Sequence, residues 1–127
     1  MLDDVRLIHL GLPVQNEQRS RHFYERSFGF DPESARRYDD GTLMLSNSDG
    51  FDLALHPGEQ VGVLPEFLHF GFRLDDVDEV RRLLALLRAN DVPIVEEYDE
   101  PTYVAFKCLD PDGHRIEGYW EPDGPAR

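Results

Sequence analysis

Cysteine, basic residues and long apolar runs are all scarce in this chain, and each shortage closes off a class of function. Of 127 residues only one is cysteine, and a lone thiol, Cys108, cannot close an intramolecular disulfide. Thirteen lysines and arginines stand against 26 aspartates and glutamates, a formal net charge of -13. That charge repels phosphate backbones and anionic lipid surfaces, so neither nucleic acid nor a membrane is expected as a partner. No apolar run approaches the roughly 18 residues of a membrane span, and nothing at the amino end reads as a charged segment followed by an apolar one. A soluble, cytoplasmic protein is the expectation.

What is present suits one globular domain. Hydrophobic residues make up 40% and charged residues 31% of a length that can bury one core. The excess acidity reads first as a solvated surface, and secondarily as an attraction for a cationic ligand or a metal ion.

Elements recur in the same order twice. Val5 to Val14 alternates as a half-buried strand, and Asn16 is placed to cap a helix that runs to about Phe28, with Gly29 as its stop. Strand candidates follow at Ser34 to Tyr38, Thr42 to Ser46 and Phe51 to His56, separated by the turn sequences around Gly41 and Gly50. Phe67 to Leu74 then reads as a new first strand, and Val77 to Asn90 as a helix with Val80, Leu83, Leu84 and Leu87 on one face. Strands are expected at Pro93 to Glu97, Tyr103 to Cys108 and Arg115 to Trp120, with a turn at Asp110 to Gly113. His9-Leu10-Gly11 matches His69-Phe70-Gly71 sixty residues on, and the segment from Gly50 matches that from Gly113. An internal duplication of a βαβββ unit explains both matches.

These residues give the chain its resemblance. His9-Leu10-Gly11, the helix text from Phe23 to Phe30, His69-Phe70-Gly71 and Asp110 to Tyr119 resemble the vicinal oxygen chelate superfamily of glyoxalases, bleomycin and fosfomycin resistance proteins and extradiol dioxygenases. The resemblance implies an α+β fold: two tandem βαβββ modules, about 4–58 and 66–122, forming a curved mixed sheet cup within one domain. It also implies a divalent metal, held from the first and last strands of each module, and a homodimer. Carried onto this chain, the metal positions are His9, His69 and Glu117. Ala54 stands where a fourth ligand would be, with Asp52 and His56 two residues to either side.

Strand parity reaches the same face by a separate route. Leu10 and Leu12, and Phe70 and Phe72, need the helix side, which turns His9 and His69 to the other. Ile116 likewise turns inward and leaves Arg115, Glu117 and Tyr119 beside the histidines. Two imidazoles and a carboxylate suit a divalent transition metal with open positions, Fe or Mn favoured, Ni or Zn also accepted. Asp52, His56, Arg73, Tyr103 and Tyr119 are the candidate substrate-pocket residues, with Lys107 on the same parity. His22 and His114 read as solvated and Cys108 as a small core hydrophobe. Phe51, Phe67 and Trp120 read as core residues first and pocket lining second. The function expected is a metal-dependent enzyme acting on a small molecule with vicinal oxygens, dioxygenase-like in its ligands, with lyase or isomerase chemistry open to the same set. The rival reading is a metal-free protein that sequesters a cationic drug.

Overall fold

Alternation in the segment His-Leu-Gly-Leu-Pro-Val produces strand β1, His9–Val14, with Leu12 and Val14 buried and His9 and Gly11 exposed. The computed structural model describes residues 3–58 and 61–123. The chain divides into two compact units, Met1–Gly62 and Val63–Arg127. Among the described residues, each carries one α-helix and a four-stranded mixed sheet, the first with a further 3-10 turn at Pro32–Ser34, an α+β architecture of two tandem modules.

In the first unit, helix α1 spans Glu17–Ser27, strand β2 Arg36–Arg37, β3 Leu43–Ser46 and β4 Asp52–Pro57. The sheet order is β1-β4-β3-β2, with β1 parallel to β4 and the other pairs antiparallel. As an edge strand, β1 tolerates Pro13, which has no amide to donate. It begins at His9, four residues later than alternation predicts. Its partner β4 starts opposite His9 at Asp52, and Val5 and Leu7 are 76% and 88% exposed. The Asn16 side chain caps α1 by accepting from the Arg19 amide at 3.0 Å. Tyr24 and Phe28 bury the helix against the sheet together with Phe30, Leu45, Leu53 and Leu55. Each such large apolar side chain contributes about 1.5–3 kcal/mol on burial.

The second unit repeats the plan with β5 at His69–Arg73, α2 at Val77–Ala89, β6 at Ile94–Glu100, β7 at Tyr103–Leu109 and β8 at Arg115–Trp120. Its order is β5-β8-β7-β6, with β5 parallel to β8. β5 also starts later than expected, at His69, and Phe67 is 82% exposed rather than part of the core. Val80 and Leu87 of α2 pack over Phe106, Cys108 and Ile116, all fully or nearly fully buried. A register shift falls between Ile94 and Glu96 on β6, so β7 keeps its parity and Val104, Phe106 and Cys108 stay inward. Burial pushes the Cys108 thiol up to about 12.

The two registers establish which positions are equivalent. Gly11 lies opposite Ala54 on β4, and Gly71 lies opposite Glu117 on β8. The turns before the last strands are also built alike. Asn47 Oδ1 accepts from the amides of Asp49 (3.1 Å) and Phe51 (2.9 Å), and Asp110 Oδ1 from those of Asp112 and His114, each at 2.9 Å. Among the described residues, no helix is long and apolar enough to cross a membrane.

Candidate metal centre

In the second unit, β5 and β8 run parallel, and their outward parity sets His69 and Glu117 on one face. His69 Nε2 lies 3.4 Å from Glu117 Oε2. His69 Nδ1 donates to the Phe67 carbonyl at 2.8 Å, which turns Nε2 toward the carboxylate. At 3.4 Å the two donors are further apart than the 2.7–2.9 Å of a charge-assisted hydrogen bond, roughly. Two ligands about 2.1 Å from one metal at a tetrahedral angle stand about 3.4 Å apart. The pair fits a divalent cation. Glu117 Oε1 accepts from the Tyr103 phenol of β7. Burial first, and then this carboxylate, push the phenol well above its ordinary range, so it stays a neutral donor. His69, Tyr103, Glu117, Tyr119 and Glu121 line a cleft of about 380 Å³. Gly71 makes room for it, because a Cβ there would stand 3.3 Å from Glu117 Cβ and 3.4 Å from the Tyr119 ring.

The first unit has a smaller cleft of about 220 Å³, lined by His9, Tyr38, Asp40, Thr42, Met44, Ala54 and His56. His56 Nδ1 pairs with the Thr42 hydroxyl at 2.9 Å, and the Thr42 amide donates to Asp40 Oδ1 at 2.9 Å. That amide is the main reason the Asp40 carboxyl lies below the usual range. His56 Nε2 faces Gly11, where a Cβ would come within 3.0 Å of it.

Asp52, two residues before Ala54, is engaged by its neighbours. Its Oδ1 accepts from the Ser46 hydroxyl at 2.6 Å and from Arg36 at 3.2 Å, and those two bonds, Ser46 first, hold its carboxyl below the usual range. Arg73 also turns aside, donating to the Glu121 carbonyl and lying 3.5 Å from the Glu121 and Asp123 carboxylates. Lys107, opposite Glu117 in register, pairs with Glu96 at 2.9 Å. His56, Tyr103 and Tyr119 are cleft residues. Tyr38, Asp40, Thr42, Met44 and Glu121 also line the clefts, outside the set that strand parity points to. Tyr38, Asp40 and Thr42 lie in the connection between β2 and β3 and Met44 on β3, each two residues from the next, whereas Glu121 lies beyond the end of β8.

His114 is not solvated. It is 6% exposed, with Nδ1 2.7 Å from Asp110 Oδ2 and Nε2 buried without a partner. Asp110, Asp112 and His114 bring ligand-type atoms within 4.8 Å of one another. This grouping is the turn itself, because Asp110 spends one oxygen on two backbone amides and the other on the imidazole.

Residues 6–117 match the family model of the Glyoxalase/Bleomycin resistance protein/Dioxygenase superfamily. The chain belongs to this superfamily. Within it, the chain is 29% identical over 128 residues to a trivalent organoarsenical cleaving enzyme of Bacillus sp. (strain MD1), covering 91% of this chain and 73% of that protein. It is 27% identical over 120 residues to a probable enzyme of the same name from Bacillus subtilis (strain 168), covering 91% and 80%. The superfamily fold recurs in the fosfomycin resistance protein FosX of Listeria monocytogenes, solved with Mn(II) and sulfate. That likeness has a TM-score of 0.76 at 15% identity, over 95% of this chain and 92% of that one.

Proposed function

We propose that the protein is a divalent-metal-dependent enzyme acting on a small molecule with vicinal oxygens, and that His9, His69 and Glu117 are its metal ligands. The observation that carries this reading is the 3.4 Å approach of His69 Nε2 and Glu117 Oε2, a donor pair with the spacing of two ligands on one metal. His9 is the equivalent of His69 in the duplicated plan and lines the cleft of its own unit. When bound, a divalent metal supplies Lewis acidity toward substrate oxygens. The chain's own residues supply the rest. His56 offers a nitrogen lone pair at Nε2, held in that tautomer when Thr42 accepts from Nδ1. Tyr119 and Glu121 border the donor pair. Iron or manganese suits two imidazoles and one carboxylate, and a homodimer is the expected assembly.

The substrate reading departs from the names of the arsenical-cleaving relatives on one point. Trivalent arsenic is a soft centre that takes thiolate ligands. The one thiol of this chain, Cys108, is fully buried and raised to about 12, so it offers no thiolate near neutral pH. Oxygen donors therefore fit this chain better as substrate groups than arsenic does.

Elemental analysis of the purified protein tests the proposal. Stoichiometric divalent metal is expected in the wild type and is expected to vanish in the His69→Ala, Glu117→Ala double variant. A metal-free wild type that binds a cationic glycopeptide tightly would overturn it in favour of sequestration.

A further inference from the structure

Both donors that meet in the second unit are held from behind. His69 is tethered through Nδ1 to the Phe67 carbonyl, which leaves Nε2 forward. Glu117 is tethered through Oε1 to the Tyr103 phenol, which leaves Oε2 facing that same nitrogen at 3.4 Å. Tyr103 opens β7 directly after the tight turn from β6, paired in register with Glu100, and its ring lies 5.6 Å from that of Tyr98. A carboxylate free to rotate would present either oxygen, or neither, to a cation. With one oxygen bonded to a fixed phenol, only the other is free.

Resting on the metal reading above, we infer that Tyr103 is a positioning residue for Glu117: its phenol fixes the carboxylate so that Oε2 and His69 Nε2 converge as a preformed pair for a divalent cation. This assigns Tyr103 a role toward the ligand, whereas strand parity alone places it among the groups that donate to substrate. Among the described residues, the first unit has no phenol bonded to a carboxylate opposite its glycine. Asp40 stands on β3's approach at the position equivalent to Tyr103 and is bound to Thr42, and Ala54 leaves no carboxylate to orient. Partners of this kind, bonded to a metal ligand but not to the metal, typically change affinity by about 10–100-fold when removed.

Titration of the apoprotein with Co(II), followed through its visible d–d absorption, tests the inference with the metal alone as probe. Tyr103→Phe keeps the ring and removes only the donor. Its Co(II) dissociation constant is expected to rise about 10–100-fold, with an altered band shape, while the melting temperature of the apoprotein stays close to that of the wild type. Tyr103→His, which restores a ring donor, is expected to recover part of the affinity, and it serves as the second variant if Tyr103→Phe does not fold. Wild-type affinity and spectrum in the Phe variant would overturn the positioning role while leaving the metal reading intact. Failure of the wild type to take up one equivalent of Co(II) would overturn both.

Discussion

The two units are built on one plan, yet of the two only the second sets a carboxylate opposite the glycine that follows its histidine strand's start. Gly11 and Gly71 are equivalent, and so are their partners across the parallel pair, Ala54 and Glu117. The cleft of the first unit holds an imidazole, His56, at the position of Tyr119 and tied to Thr42, while that of the second holds a carboxylate tied to a phenol. Duplication therefore preserved the frame, meaning the glycine that clears the cleft and the turn that feeds the last strand, while the chemistry diverged. An imidazole lines the first cleft, and a histidine–carboxylate pair lines the second.

The largest expected effect breaks the shared turn. Asp110 is buried and serves two amides and an imidazole, whereas Asn47 serves two amides in a more open turn. Asp110→Ala should cost about 3–5 kcal/mol, because it strands buried groups, and Asn47→Ala about 1 kcal/mol. Urea denaturation of the two variants reads the difference, and equal losses would show that burial does not separate the turns.

Next comes the carboxylate contrast. Glu117→Ala should weaken divalent-metal affinity by at least about 100-fold, beyond the range that a merely supporting partner commands. Asp52→Ala, whose carboxylate is committed to Ser46 and Arg36, should change it by less than about threefold. Isothermal titration with Co(II) measures both.

Glycines sharpen the same comparison. A Cβ on Gly118 would stand 2.5 Å from the buried Phe106 ring, while one on Gly11 meets only the outer edge of the exposed His56 side chain. Gly118→Ala should therefore destabilise by about 1–3 kcal/mol. Gly11→Ala should cost less than that by chemical denaturation, because His56 can swing away.

The smallest effect is electrostatic. Arg37 in the first unit and Arg81 in the second each grip a carboxylate, Glu17 and Asp99, and in both cases that hydrogen bond is the main cause of a carboxyl held below its usual range. A depressed carboxyl stabilises the fold above its unfolded value, and that stabilisation fades as pH falls through the lower folded value. Arg37→Ala should thus lower stability at pH 7 and lose its effect at strongly acidic pH. Arg81→Ala should do so more weakly, because Asp99 is far more exposed than Glu17. Denaturation at the two pH values checks both.

Much of this was legible in the chain text. The helix caps at Asn16 and the stop at Gly29 lie where local chemistry puts them. The equivalence of His9 with His69, and of Ala54 with Glu117, follows from repeated spacing, because strand periodicity carries a pattern faithfully over a few residues. The late starts of β1 and β5 were not legible, since a strand needs a partner and alternation alone cannot say where the partner begins.

By itself, then, the sequence determined the duplicated α+β plan, the outward parity of the histidines and of Glu117, and the inward turn of Cys108. Tertiary structure alone decided which polar groups remain free to act. Asp52 and Arg73 are consumed by neighbours, His114 is buried on Asp110, and Tyr103 reaches Glu117 instead of standing alone. The reason is physical: parity fixes the face on which a side chain emerges, but its hydrogen-bond partners come from other strands, across distances that spacing along one strand does not encode.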